Sequence, residues 1–279
     1  MQLRNQEEWS WLVATDLFLG GLGGGLFVIF QIFDLSHLVA VLSLGLVVLG
    51  GLVLLVELGH PLRAWRAVCR PLTSWISRGV IFVVLFLISG LLYIAPSFDS
   101  FSWLPWTSNT LTGKIFWVIS GICALLVTLY PGFVLSASPS IPFWNSPILP
   151  VLFFFQSIMG ATGIVLLISP FGPFERGVQG INPLAVLLII ANLVMIAVYL
   201  LTLKRSGLAA GETARLLNHG PIGWTFRIGV LLVGMILPLL VVVWIPSAVV
   251  LAGAFILIGG LLFRYCVLKA GVYVPFPLT

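Results

Sequence analysis

The sequence predicts an all-α membrane protein of eight transmembrane helices, arranged as two four-helix bundles with both termini on one side of the bilayer. Three observations lead there. Hydrophobic residues make up 60% of the 279 and charged residues only 8%, with a mean hydropathy of +1.19; soluble domains carry about 25% charged residues. The apolar residues fall in eight runs of bilayer length, since about 20 helical residues cross ~30 Å of hydrocarbon. No connection between runs is long enough to form an extramembrane domain, so residues 1–279 read as one integral membrane domain.

The first span, about 11–33, holds Asp16 above Gly20, Gly21, Gly23, Gly24 and Gly25. Gly20/Gly24 and Gly21/Gly25 are small-xxx-small pairs, which let helix backbones approach closely. Asp16, Gly20, Gly23 and Gly24 share one helical face, so an acid sits above a bare surface. Glu7, Glu8 and Trp9 precede this span where a signal peptide would be basic. The second span, about 38–58, follows a short turn with Asp34 and His37, and leads into a basic connection from His60 to Arg78. The third, about 79–95, ends at Pro96, and the loop after it, with Trp103 and Trp106, reads as an interfacial belt. The fourth, about 114–136, contains Tyr130-Pro131-Gly132, where proline removes a backbone donor and predicts a kink. A proline-rich loop leads to the fifth span, about 148–169, with Gln156, Ser157 and Thr162 inside. The sixth, about 183–203, carries Asn192. Lys204 to Pro221 is the longest polar connection, with room for a short surface helix. The seventh, about 223–245, has Arg227 one turn inside and Pro238 as a second predicted kink. The eighth, about 247–268, ends at Phe263-Arg264-Tyr265.

The same residues exclude several functions. Cys69, Cys123 and Cys266 lie far apart with no Cys-x-x-Cys, which predicts no iron–sulfur cluster, metal site or disulfide framework. The histidines do not suit haem: His37 and His219 read as loop residues and His60 as a span end, whereas a membrane haem takes buried axial ligands. The net charge of +5 is thinly spread between spans and does not point to nucleic acid; the partner it implies is the lipid bilayer.

Eight spans put both termini on one side, here the near side. Counting span ends with the nearer side, Arg4, Arg63, Arg66, Arg70, Arg78, Lys204, Arg205, Arg215, Arg227, Arg264 and Lys269 are near, and only Lys114 and Arg176 are far. That bias places the near side in the cytoplasm of a prokaryotic cell membrane. Helical rise puts Asp16 roughly 8 Å and Tyr130 roughly 10 Å below the near surface. Glu57, His60, Arg63, Arg78, Arg227 and Arg264 also sit at near-side span ends, while the far half offers little beyond Gln31. Each has an ordinary reading. Arg63, Arg66 and Arg78 can snorkel, Glu57 can pair with an arginine, and Tyr130 can be a belt tyrosine. Trp144 and Asn145 can form a turn, and Gln31, Gln156 and Asn192 can bond between helices. Asp16 is the hardest to explain so, because an acid inside a span is costly.

The motifs, in order, are Leu19-Gly20-Gly21-Leu22-Gly23-Gly24-Gly25; Glu57-Leu58-Gly59-His60-Pro61-Leu62-Arg63-Ala64-Trp65-Arg66 with Ser77-Arg78-Gly79; Tyr130-Pro131-Gly132; Pro142-Phe143-Trp144-Asn145-Ser146-Pro147; and Gly259-Gly260-Leu261-Leu262-Phe263-Arg264-Tyr265 with Ala270-Gly271. This ordered set resembles the NrfD/PsrC family, membrane subunits of polysulfide, dimethyl sulfoxide, nitrite and related reductase complexes. The resemblance implies an anchor that binds quinone or menaquinone as substrate and carries no haem, iron–sulfur cluster or metal. It also implies two partners, a ferredoxin-like iron–sulfur subunit and a catalytic subunit of molybdopterin type. In the polysulfide reductase member, the quinone pocket lies near the docking surface of the iron–sulfur subunit. A tyrosine there corresponds to Tyr130, and a first-span histidine corresponds to Asp16. A second polar residue one turn earlier falls at Val13 here, and His60 stands where many members have arginine.

The expected quinone and proton site is therefore Asp16, Tyr130, Glu57, His60, Arg78 and Arg227. Gly20, Gly24, Arg63, Arg66, Trp144, Asn145 and Arg264 support it, and Gln31, Gln156 and Asn192 offer a proton path. Tyr130 can hold one quinone oxygen and Asp16 can accept a proton. The competing functions are a purely structural anchor and a small-molecule or ion transporter, which broken helices and an intramembrane acid also suit.

Overall fold

The computed structural model describes residues 4–57, 69–171, 180–203, 208–220 and 222–274. Eight of its helices are long and apolar enough to cross a bilayer, and the protein is a multi-pass, mostly helical membrane protein. The spans are α1 (Trp11–Phe33), α2 (His37–Glu57), α3 (Trp75–Ile94), α4 (Leu111–Ser136), α5 (Ile148–Ile168), α6 (Ile181–Leu203), α8 (Thr225–Trp244) and α9 (Val249–Lys269). Between α6 and α8 lies a short helix, α7 (Leu208–His219), in the longest polar connection.

Local chemistry sets the ends. Ser10 Oγ accepts the Leu12 N–H to cap α1, Ser74 Oγ accepts from Ser77 at the start of α3, and Thr110 Oγ1 accepts from Gly113 at the start of α4. Each cap satisfies a donor that a helix N-terminus otherwise leaves unpaired. Asp34 closes α1 in the left-handed region at φ 48°, a conformation that Asp tolerates better than most side chains. His37 is not a loop residue. It opens α2 with its ring 5.8 Å from Phe30, because the three residues Asp34–Ser36 suffice to reverse the backbone. His219 likewise ends α7.

The two prolines stand in different settings. α4 runs unbroken through Pro131, and the adjacent Gly132 packs against Pro150 of α5, whose N would lie 2.7 Å from a Cβ there. In α8, Thr225–Ile236 is wound as a π-helix and Leu237–Trp244 as an α-helix. Pro238 stands at the junction, where its missing N–H removes one rung of the ladder. Gly234 of the π segment meets Gly259 of α9, with 2.5 Å between a would-be Cβ and the Gly259 Cα.

α1 and α5 are the most buried spans. α1 packs against α2, α4, α5 and α9; α5 packs against α1, α4, α6 and α9. The α1 glycines divide among these neighbours. Gly23 faces Ser43 and Val47 of α2, Gly24 faces Ala124 and Thr128 of α4, and Gly25 faces the Ser157 carbonyl of α5. The stripe is three seams, not one. Ser43 Oγ–H closes the first by donating to the Gly23 carbonyl at 2.7 Å.

One end of the bundle is tied by short contacts. Strand β1 (Arg4–Asn5) pairs antiparallel with β2 (Val272–Tyr273), and Gln6 N–H donates to the Gly271 carbonyl. Trp144, 2% exposed, donates from Nε1 to the Val267 carbonyl at 2.9 Å and stacks obliquely on Trp9. The segments before α1 and after α9 and the α4–α5 loop thus share this near end.

Candidate functional site

Asp16 lies in the second turn of α1 and is 6% exposed. Its carboxyl faces Gly50 of α2, where a Cβ would stand 3.2 Å from Oδ1. Among the described residues no side chain hydrogen-bonds to it. Tyr130 reaches inward from α4, with its ring laid on the backbone of Gly79 in α3. A Cβ on Gly79 would be 2.5 Å from Tyr130 Cε2 and closer still to Cδ2. The phenol and the Asp16 carboxyl are within electrostatic reach of each other. Gly20, one turn below Asp16 on the same face, is buried, yet a Cβ there would meet nothing within 4 Å. Asp16 of α1 thus packs on Gly50 of α2, and Tyr130 of α4 on Gly79 of α3, with open space beside Gly20.

Gly50 and Gly79 are the residues that sequence reasoning did not single out. The signal was present, since both lie beside other small or charged residues in Gly50-Gly51 and Ser77-Arg78-Gly79. Only the packing shows that they face Asp16 and Tyr130.

The other expected residues distribute elsewhere. Arg78 is engaged by its own loop: Nε donates to the Pro71 carbonyl at 2.8 Å, Nη2 to the Leu72 carbonyl at 2.7 Å, and the guanidinium stacks on Trp75. Arg227 is exposed, bonded to the Gly223 carbonyl and set over the outward-facing Trp224 ring. Glu57 ends α2 with no cation in ion-pair range among the described residues, where the one ion pair is Arg215–Glu212 on α7. His60, Arg63 and Arg66 lie outside the described residues. Gly24 and Trp144 pack as given above. Asn145 is exposed and lines a near-end cleft of about 600 Å³ with Pro142, Pro147 and Leu203.

Arg264 is buried at 1% exposure, on a different side of α1 from Asp16. Its Nη2 donates to Ser157 Oγ at 3.0 Å, its guanidinium stacks on Phe153, and a Cβ on Gly21 would lie 3.2 Å from Nη2. Gln31 bridges α1 to α4 by donating to the Trp117 carbonyl at 2.8 Å. Asn192 of α6 contacts Met159 Sδ of α5 through Nδ2 at 3.6 Å, and Gln156 is buried on α5. No group of three His, Cys, Asp or Glu side chains converges among the described residues.

The family model described as polysulphide reductase, NrfD, matches residues 1–275. The protein belongs to the NrfD polysulphide reductase family. This NrfD-family protein is 27% identical to protein NrfD of Escherichia coli K12, over 94% of each sequence. It is 26% identical to the C chain of polysulfide reductase from Wolinella succinogenes, over 96% of its own length and 95% of that relative's. A third relative, a protein NrfD homolog of Haemophilus influenzae, is 30% identical over 55% of the present sequence and 51% of its own. The name of the Wolinella relative makes it one of several chains of a reductase. The NrfD-family protein itself is a multi-pass membrane protein, with eight apolar spans among the described residues.

Proposed function

We propose that the protein is the quinone-reactive membrane anchor of a multi-subunit oxidoreductase. It exchanges electrons with a ferredoxin-like iron–sulfur subunit, itself joined to a molybdopterin-type catalytic subunit. One observation carries the reading: a buried carboxyl on α1 and a phenol on α4 lie within electrostatic reach of each other, with open space beside Gly20 one turn from the carboxyl. Oxidation of a quinol releases two electrons and two protons. Tyr130 O–H donates to one ring oxygen and orients it; Asp16 takes the first proton, releases it to water, and then takes the second, while the two electrons would leave to the iron–sulfur partner subunit. Reduction of quinone runs the same steps backwards. The open space at Gly20 leaves room for the edge of a flat ring that a Cβ would narrow, while Gly50 and Gly79 let Asp16 and the Tyr130 ring pack closely.

The charge bias supports a cytoplasmic near end, and with it a partner docked from the cytoplasm onto the surface that includes the Asn145 cleft. Protease access to a C-terminal tag in intact cells tests the orientation: protection supports it and cleavage reverses it. The functional reading is tested by Asp16→Asn and Tyr130→Phe in the assembled complex. Both are expected to remove quinol-linked turnover while the partner's activity with an artificial donor persists. Normal quinol turnover in both variants would assign the reaction elsewhere and favour a structural anchor.

A further inference from the structure

Two rungs join the near ends of α3 and α4. Trp75 and Gly79 lie one turn apart on α3, and Tyr130 and Phe133 one turn apart on α4, so each pair shares one helical face. The inner rung is the Tyr130 ring on the Gly79 backbone. The outer rung is the Trp75 ring on Phe133, with centroids 4.5 Å apart and planes 8° from parallel. The Arg78 guanidinium also lies on the Trp75 ring, 4.5 Å from its centroid, and its Nε and Nη2 reach the Pro71 and Leu72 carbonyls. The turn that carries those carbonyls is closed on itself, since the Thr73 and Ser74 N–H groups both donate to the Arg70 carbonyl. A continuous set of contacts therefore runs from the turn before α3, through Arg78, Trp75 and Phe133, to the helix that carries Tyr130.

The inner rung depends on the outer one. The Tyr130 ring can lie on α3 only where no side chain stands, and Gly79 is flanked by Arg78 and Val80. Neighbouring side chains on a helix are about 100° apart, so rotating α3 about its axis brings one of them toward the ring. The nearly parallel stack of Trp75 on Phe133 resists that rotation, and Arg78 holds Trp75 in turn. Arg78 suits this task by shape. It pairs with no acid among the described residues. A planar guanidinium stacks on a ring while its edge donates in fixed directions to two carbonyls; a lysine ammonium keeps the charge but has no such plane.

We propose that Arg78, Trp75 and Phe133 are positioning residues for Tyr130. They set the rotation of α3 against α4, and with it the place of the phenol hydroxyl. The proposal rests on the quinone reading above, and it gives Arg78 a role through geometry, touching neither quinone nor proton.

The test titrates the assembled complex with heptyl-hydroxyquinoline N-oxide, a fluorescent quinol analogue whose quenching on binding gives Kd. The partner's activity on an artificial donor reports assembly. Tyr130→Phe is expected to raise Kd about three- to ten-fold, the loss of one hydrogen bond. Arg78→Lys should raise it by a similar factor although the charge is kept. The double variant should bind no more weakly than Tyr130→Phe alone, because a phenol that is absent cannot also be misplaced. Phe133→Leu leaves Arg78 and its turn untouched and should match Arg78→Lys, so it carries the test where Arg78→Lys does not assemble. A natural Kd in either assembled variant, or multiplied losses in the double variant, would overturn the positioning role and leave the quinone reading standing. Failure of both variants to assemble would mark the contacts as structural only and overturn it as well. An unchanged Kd in Tyr130→Phe would overturn the quinone reading and the positioning role together.

Discussion

Gly79→Ala is the most direct probe of the site, because it touches neither Asp16 nor the Tyr130 hydroxyl. The added Cβ would lie 2.5 Å from Tyr130 Cε2, against an ordinary carbon–carbon separation of about 3.5–4.0 Å. The ring must therefore retreat by about 1 Å, or α3 and α4 must part by as much. Overpacking of this size costs about 1–3 kcal/mol of stability. For function the displacement matters more, since a misplacement of about 1 Å can cost ~100-fold in rate. The assay is quinol-linked turnover of the assembled complex, with the partner's activity on an artificial donor as control. We expect kcat/KM with quinol to fall ten- to hundred-fold, on the order that geometry implies, with the control unchanged. A second arm isolates the contact. In a Tyr130→Ala background the same Gly79→Ala change has no ring to meet, so its effect on the unfolding midpoint should vanish. An unchanged quinol turnover in Gly79→Ala, or the same destabilisation with and without the Tyr130 ring, would refute the geometry.

Other expectations rest on separate contacts. Gly21→Val forces a side chain against Ser157 Oγ and Arg264 Nη2, at 2.5 and 3.2 Å from the Cβ; thermal unfolding in detergent should show a loss of about 1–3 kcal/mol or failure to assemble. Trp144→Phe leaves the Val267 carbonyl without its indole donor and should cost about 1–3 kcal/mol by the same measurement, with KM for quinol unchanged. Gln31→Leu removes the α1–α4 bridge to the Trp117 carbonyl and should cost about 0.6–1.7 kcal/mol, again without effect on quinol turnover; a turnover defect there would bring the far half into the mechanism. Gly20→Ala should be silent in stability, since its Cβ meets nothing, yet raise KM for quinol if the ring occupies that space. An unaltered KM would move the ring away from Gly20.

The spans were legible in the sequence because a bilayer imposes length and apolarity locally, residue by residue. The rise per residue likewise predicts one level for Asp16 and Tyr130. Lateral position was not legible. Lipid is as apolar as a helix interface, so a span carries little amphipathic period to say which face meets which neighbour. Arg78, Arg227 and Arg264 look alike as near-side arginines, but one holds its own loop, one faces outward, and one is buried beside α5. The α1 glycines look like one seam and serve α2, α4 and α5 separately. Gly50 and Gly79 acquire meaning only from the side chains opposite them. Hydropathy determined that eight helices are long and apolar enough to cross; tertiary packing decided which of their polar groups meet, because that depends on contacts between residues far apart in the sequence.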